Sequence, residues 1–249
     1  MDAASLDALV DGFVAAHRGG PPCAFSAEMF PRSVEEAYRV QGRVLERVGR
    51  GSRPVAWKVS PPQPGREPLA SPVPTRVLRS PAALPTGAHR ALGVEAELAL
   101  RLVATPRPGG GVEGIRGVGG EMLVLIEWCE TRIADWDHAP ALLKLADFQS
   151  HGVFIAGSGT RDPPRDFHSQ GVELQVGGRT VAGGIGTHPT CDLWTMLAWA
   201  VDHCAQRGMP IEEGDIVTTG SWTGITPVAP GEQVVAKFVG IGEARLAMS

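Results

Sequence analysis

The chain has 249 residues, 43% of them apolar and 20% charged, with a formal net charge of −4. That balance falls in the ordinary globular range and allows one large domain or two smaller ones around a substantial core. Its basic residues form no Lys/Arg stripe, which argues against nucleic acid or an anionic membrane surface as the main partner and leaves small molecules.

Cys23, Cys129, Cys191 and Cys204 include no C-x-x-C spacing. Neither a zinc site nor a disulfide framework is therefore expected, and a reducing cytoplasmic location fits. Residues 1–9 carry acids rather than a cationic start, and no stretch reaches the uncharged length of a membrane span, so no export signal or membrane anchor is expected.

In chain order, Ser5 is placed to cap a first helix with the apolar stripe Leu6, Leu9, Val10 and Phe13, stopped by Gly19-Gly-Pro-Pro22. Ser33-Val-Glu-Glu36 reads as a capping box opening a second helix through Ala37, Val40, Val44 and Val48. A short strand follows at 55–59. The proline-dense segment 61–85 predicts an irregular crossover, with a weak strand signal only at Val77 and Leu78. Beyond it the texture is β-rich, with strands predicted at 94–103, 122–129, 153–156, 172–176, 215–219 and 234–238. One helix interrupts them, at about 192–207, where Leu193, Leu197, Val201 and Cys204 form a stripe ended by Gly208 and Pro210.

The chemistry concentrates in two of these strands. In Leu92-Gly-Val-Glu-Ala-Glu-Leu-Ala-Leu100, a two-residue period sends Glu95 and Glu97 to one face and Val94, Ala96 and Leu98 to the other. A bare E-x-E is weak, since a solvated polar face explains it more readily. Glu127 strengthens it, ending an apolar run in Met122-Leu-Val-Leu-Ile-Glu-Trp-Cys129 that reads as buried on both faces. Buried carboxylates cost several kcal/mol each unless paired or metal-bound, and oxygen ligands favour Mg²⁺ or Mn²⁺. Glu130 has the opposite parity from Glu127 and is the weaker ligand candidate. The chain has no G-x-S-x-G, H-E-x-x-H or Walker loop, and Gly184-Ile-Gly-Thr-His-Pro189 departs from the dinucleotide fingerprint, so nucleotide cofactors are not indicated. His151 and His188 read as structural histidines.

Several segments carry a family likeness in order along the chain: Glu36-Ala-Tyr-Arg-Val-Gln41, Trp57-Lys58, Gly93-Val-Glu-Ala-Glu97, Ile126-Glu-Trp-Cys-Glu-Thr-Arg-Ile-Ala-Asp-Trp136, Leu145-Ala-Asp147 and Gly214-Asp-Ile-Val-Thr-Thr-Gly-Ser221. With these, the sequence resembles the 2-keto-4-pentenoate hydratase branch of the fumarylacetoacetate hydrolase superfamily. The resemblance implies an α+β fold: a mixed β-sandwich roll (83–249) preceded by a small helical N-terminal region and crossover (1–82). It also implies a Mg²⁺ or Mn²⁺ ion on Glu95, Glu97 and Glu127, with Lys58 close to the substrate and Asp147 just behind the ligands. Its implied partners are a 2-oxo acid substrate, other copies of the chain in a homo-oligomer, and a pathway neighbour.

Departures from the family pattern are Val59-Ser-Pro-Pro62 after the lysine, Glu130-Thr131-Arg132 for the usual Asp-Ser-Arg, and Phe148 where an asparagine follows the aspartate. The reading expects a Lys58 whose pKa burial beside a cation shifts towards neutrality. Asp147 accepts from a water or caps a turn, Arg132 clamps a carboxylate or pairs with Asp135 or Glu130 as structure, and the Thr219-Gly220-Ser221 turn holds a substrate carboxylate or is loop architecture. The leading expectation is a lyase that hydrates a 2-hydroxy-2,4-dienoate to a 4-hydroxy-2-oxo acid through a metal-stabilised enolate. The alternatives are a 4-oxalocrotonate-type decarboxylase on the same scaffold and a non-catalytic 2-oxo-acid-binding homologue. A C–C hydrolase ranks lower, because no His/Glu pair to activate water is visible in the sequence.

Overall fold

In the computed structural model, which describes residues 1–49, 53–85 and 91–249, α1 (Ala3–His17) starts from Asp2. The Asp2 carboxylate accepts from the Ser5 N–H at 2.7 Å, so Ser5 lies inside the first turn and is not the cap. An acid three residues upstream reaches the same orphan amide. α2 (Val34–Val48) is capped by Ser33 as expected, its Oγ accepting from the Glu36 N–H at 3.2 Å. The reciprocal arm differs from a full capping box: Glu36 accepts from the Arg32 N–H at 2.7 Å and from the Met1 amine. Asp7 pairs with Arg43 and Asp11 with Arg47, so the two helices run side by side in the same direction. Exposed pairs like these add little; the join is the buried stripe of Leu9, Val10, Phe13, Val40 and Val44, each such side chain contributing about 1.5–3 kcal/mol.

The remaining elements are β1 (Ala56–Ser60), β2 (Leu69–Pro72), β3 (Leu78–Arg79), β4 (Ala82–Leu84), β5 (Ala91–Leu102), α3 (Gly111–Val118), β6 (Gly119–Glu130), α4 (Ala141–Ala146), β7 (His151–Thr160), β8 (Gly171–Val176), β9 (Arg179–Ile185), α5 (Leu193–Gln206), β10 (Ile216–Ser221), β11 (Gln233–Phe238) and β12 (Gly242–Met248). Among the described residues, seven strands form one sheet in the order β2-β1-β10-β5-β6-β7-β3, and five form another in the order β4-β12-β11-β8-β9. This is the mixed α+β, fumarylacetoacetate hydrolase-like arrangement that the resemblance implied. The line at residue 82 falls inside β4, and β1, β2 and β3 are already hydrogen-bonded into the large sheet.

Two expectations are corrected. The crossover is not irregular throughout, because it carries β2, β3 and β4, and α5 is joined in the second half by α3 and α4. α3 contains Gly111, Gly114 and Gly117, poor helix formers, and is held by buried Ile115 and by Arg116 over the Trp194 ring at 5.4 Å. Among the described residues no helix is long and apolar enough to cross a membrane.

Strand parity sorts the large sheet. Val94, Ala96, Leu98 and Leu100 of β5 and Met122, Val124, Ile126 and Trp128 of β6 enter the main core with Leu193, Leu197 and Val201 of α5. The odd-numbered residues face the other way, where Ala99, Leu123, Leu125 and Phe154 make a smaller apolar cluster. Glu95, Glu97, Glu127 and Cys129 continue that second face.

Candidate active site

On adjacent antiparallel strands, Glu95 is the Cα partner of Glu127, and Glu97 of Leu125. Residues so opposed have Cβ atoms about 4.5–5.5 Å apart, so two carboxylates are forced together. Lys58 lies on β1 with Trp57 and Val59 turned into the main core, which sends its own side chain to the acidic face. Its Nζ is 2.9 Å from both Glu127 oxygens, donating to Oε1, and 3.9 Å from Glu95 Oε2. A second Lys58 N–H is donated to the Gln149 carbonyl at 3.0 Å. His151, at the start of β7, places Nδ1 3.0 Å from Glu127 Oε1 and Nε2 3.0 Å from the Thr75 hydroxyl.

These contacts bias the charge states of the metal-free site. Burial opposes the ammonium of Lys58, but the pull of Glu127 and its neighbours outweighs it and raises the pKa; the expected drift towards neutrality concerned a lysine beside a bound cation. Burial raises Glu127, yet Lys58 and His151 more than offset that and hold it below the usual carboxylate value. Glu97 goes the other way: burial first, then repulsion from Glu127, push it well above the ordinary range. Thr218 tempers that shift without meeting hydrogen-bond geometry, and neither Glu97 oxygen has a partner. Glu127 Oε2 lies 2.9 Å from Lys58 Nζ, an ion-pair contact outside hydrogen-bond geometry. Orphaned buried carboxylate oxygens beside further acids fit a divalent cation, the one partner that neutralises several at once.

The tightest set of potential ligand atoms is Glu95, Glu127 and Cys129, all within 4.8 Å of one another; Glu97 flanks the Glu95–Glu127 pair from the opposite end of the ladder. Without C-x-x-C spacing, Cys129 was not expected among potential ligands. Its i+2 spacing from Glu127 was the signal that could have found it. The Cys129 thiol lies 3.5 Å from Glu95 Oε2.

The other candidates separate. Ser221 lies near the acids, its side chain acting to lower the Glu95 pKa, while its Oγ accepts from the Gly224 N–H at 2.9 Å. The Thr219 hydroxyl is turned onto β5, donating to the Leu98 carbonyl at 3.0 Å. Gly220 has φ +88°, and a Cβ there would lie 2.7 Å from Pro61 Cδ, so it seats the Ser60-Pro61-Pro62 turn against the strand. Asp147 is fully buried and bound to Arg132: Nε donates to Oδ1 at 2.5 Å and the backbone N–H to Oδ2 at 2.9 Å. Arg132 Nη1 donates to the His151 carbonyl at 2.7 Å and Nη2 to the Asp147 carbonyl at 3.0 Å, so each guanidinium nitrogen serves an internal acceptor. The acid that Arg132 is seen to pair with is the buried Asp147.

Phe148 does not wall the site. It is fully buried in the helical region's core, edge-on to His17 at 5.5 Å. Phe148, Gln149 and Ser150 all have left-handed backbones, with φ of 51°, 57° and 58°. That turn sends Phe148 away and brings Gln149 to the lysine. The Gln149 amide donates to the Lys58 carbonyl at 3.2 Å and to Ser71 Oγ at 2.9 Å, and its Oε1 accepts from Ser60 Oγ at 2.5 Å. The sequence offered no signal for this role. A His/Glu pair, thought absent, exists as His151–Glu127; the histidine is buried and both its ring nitrogens are engaged.

Comparison with known proteins places these residues in a family. The model for the fumarylacetoacetate (FAA) hydrolase C-terminal family matches residues 47–248. The 2-keto-4-pentenoate hydratase of Paraburkholderia phymatum is 29% identical over 136 residues, 53% of this chain and 51% of the relative. The 2-hydroxyhexa-2,4-dienoate hydratase of Comamonas testosteroni is 25% identical over 134 residues, 49% of each chain. The chain thus spans about half the length of the curated relatives it matches. Among solved structures, 4-oxalocrotonate decarboxylase from Pseudomonas putida G7, complexed with magnesium and adipate, superposes with a TM-score of 0.87 at 20% identity, covering 100% of this chain and 99% of the other. With the family model spanning most of its length, this chain belongs to the fumarylacetoacetate hydrolase family.

Proposed function

We propose that this chain is a divalent-metal-dependent lyase that hydrates a 2-hydroxy-2,4-dienoate to a 4-hydroxy-2-oxo acid. The observation that carries the reading is the buried acidic face of β5 and β6, where Glu95 and Glu127 share one lysine and both oxygens of Glu97 lack a hydrogen-bond partner among the described residues. Glu95, Glu97 and Glu127 would hold Mg²⁺ or Mn²⁺, which when bound supplies Lewis-acid polarisation of a 2-oxo acid's oxygens. Relatives named as dienoate and pentenoate hydratases support the substrate class.

Within this reading the chain's own groups divide the work. Lys58 Nζ stays protonated; with two N–H bonds committed to Glu127 and Gln149, its third donor is free to steady negative charge on the substrate or to pass a proton to it. His151 keeps Glu127 ionised and fixed in direction. Ser221 orients Glu95. Asp147 and Arg132 act one step back, tying the residues before α4 to the carbonyl of His151. The occupants would be a small 2-oxo acid and, in the assembled protein, further copies of the chain.

The test is an ultraviolet assay with 2-hydroxypentadienoate and Mg²⁺ or Mn²⁺. The expected result is metal-dependent loss of the dienol absorbance and a product heavier by one water. No such loss, with metal bound, overturns hydration. A second reading, decarboxylation of a 2-oxo-enedioate, is supported by the full-length likeness to 4-oxalocrotonate decarboxylase, and there the product would be lighter by one carbon dioxide.

A further inference from the structure

We infer that Cys129 is a sulfur ligand of the cation site, which would tilt this chain from magnesium towards thiophilic divalent ions such as cobalt and zinc. The inference rests on the carboxylate cation site proposed above and adds to it the chemistry of one side chain.

Cys129 stands two residues after Glu127 on β6, so the strand period puts thiol and carboxylate on the same face. The side chain is 1% exposed, and its Sγ lies 3.5 Å from Glu95 Oε2. One ligand atom each from Glu95, Glu127 and Cys129 can be chosen with every separation within 4.8 Å. A metal with bonds of about 2.3 Å to sulfur and about 2.0–2.2 Å to oxygen requires ligand atoms roughly 3–4 Å apart, which the Cys129–Glu95 contact already satisfies. Both Glu97 oxygens are buried without hydrogen-bond partners among the described residues, so this neighbouring acid presents unsatisfied acceptors. Three all-oxygen ligands would suit magnesium or manganese; replacing one by thiolate, or adding one, favours softer ions. On coordination the metal–sulfur bond replaces S–H, and the proton leaves to the buffer. The competing role for Cys129 is an S–H donor that merely orients Glu95.

The experiment titrates the metal-free full chain with Co²⁺ and, separately, with Mg²⁺, in the wild type and in Cys129→Ser. The expected result is a near-ultraviolet thiolate-to-cobalt charge-transfer band in the wild type and its loss in the variant. The ratio of Co²⁺ to Mg²⁺ affinity should fall at least about tenfold in the variant. Stoichiometric cobalt binding by the wild type without that band overturns the sulfur ligand while leaving the carboxylate site standing. Binding of neither metal, read by calorimetry, overturns both. Should Cys129→Ser fail to fold, a chain with Cys23, Cys191 and Cys204 changed to alanine carries the same test, since only Cys129 can then give the band.

Discussion

Glu95 and Glu127 face one another as direct partners across β5 and β6, and Lys58 Nζ lies 2.9 Å from both oxygens of the second and 3.9 Å from the first. The lysine is thus the internal counter-ion of a pair that would otherwise repel. Lys58→Met leaves two acids opposed in a buried site. Without metal the variant should melt lower than the wild type, and excess Mg²⁺ should recover most of the loss, because the added cation takes over the neutralisation. Turnover should drop by about 10²-fold or more even with metal bound. Thermal melts with and without Mg²⁺, beside the dienol assay, check both halves; unchanged turnover would remove Lys58 from the chemistry.

Glu97 predicts the opposite stability sign. Its folded-state pKa is raised by burial and by Glu127, so its stabilising form is the protonated one, and stability is lost as pH rises from the unfolded value of 4.5 through the raised folded value. Glu97→Gln keeps the shape and removes the charge. In metal-free protein near neutral pH it should raise the melting temperature, and it should weaken Mg²⁺ binding measured by calorimetry. A variant that both melts lower and binds Mg²⁺ normally would show that Glu97 is a plain structural residue.

The acidic face was legible because strand period alone assigns Glu95, Glu97 and Glu127, and their apolar surroundings imply burial. The elements with strong stripes, α1, α2 and α5, were legible for the same reason. β9 was not: it is exposed along nearly its whole length and carries Gly183 and Gly184, leaving neither alternation nor β-propensity to read. β12 buries Ala244, Leu246 and Met248, but between glycine and charged residues that signal is faint. Gln149 and His151 reach the site only through a left-handed turn and a strand register, and nothing local in sequence encodes either.

Phe148 gives a prediction that separates its two readings. Were it a wall of the substrate site, Phe148→Asn would restore an amide there and raise activity. Because it is fully buried among Ala37, Val40, Val44 and Leu143, the same change should instead place an unpaired polar group in an apolar core. Phe148→Ala should cost about 3–5 kcal/mol by cavity formation, and Phe148→Asn at least as much. Urea denaturation of both variants, against substrate KM in whatever fraction remains folded, tells the two apart.

Arg132 and Asp147 form a buried ion pair whose loss from one side strands the other. Arg132→Met should destabilise by about 3–5 kcal/mol by leaving the Asp147 carboxylate uncompensated, whereas the double change Arg132→Met with Asp147→Leu should recover part of it. If Arg132 instead held the substrate carboxylate, the single variant would keep its stability and raise KM. Denaturant midpoints and KM together decide the matter.

His188 sets a pH dependence of stability. Its Nε2 donates to the Thr219 carbonyl at 2.7 Å, while Nδ1 receives the N–H groups of Thr190 and Cys191 at 3.4 Å each. Both nitrogens are therefore committed to the neutral ring, and burial lowers the pKa from 6.5 to about 4. Between those two values the unfolded chain binds the proton and the folded one does not, so stability falls as pH drops from about 6.5 to about 4 and is flat above. The full window is worth on the order of 3 kcal/mol. His188→Gln cannot take up that proton, so the difference in unfolding free energy between wild type and variant should shrink as pH falls from about 7 to about 5. A difference that stays constant over that interval would mean that folding leaves the ring's pKa unshifted, and one that grows would mean that the ring is charged in the fold; either would show that the anchor of the 219–221 turn works by some other contact.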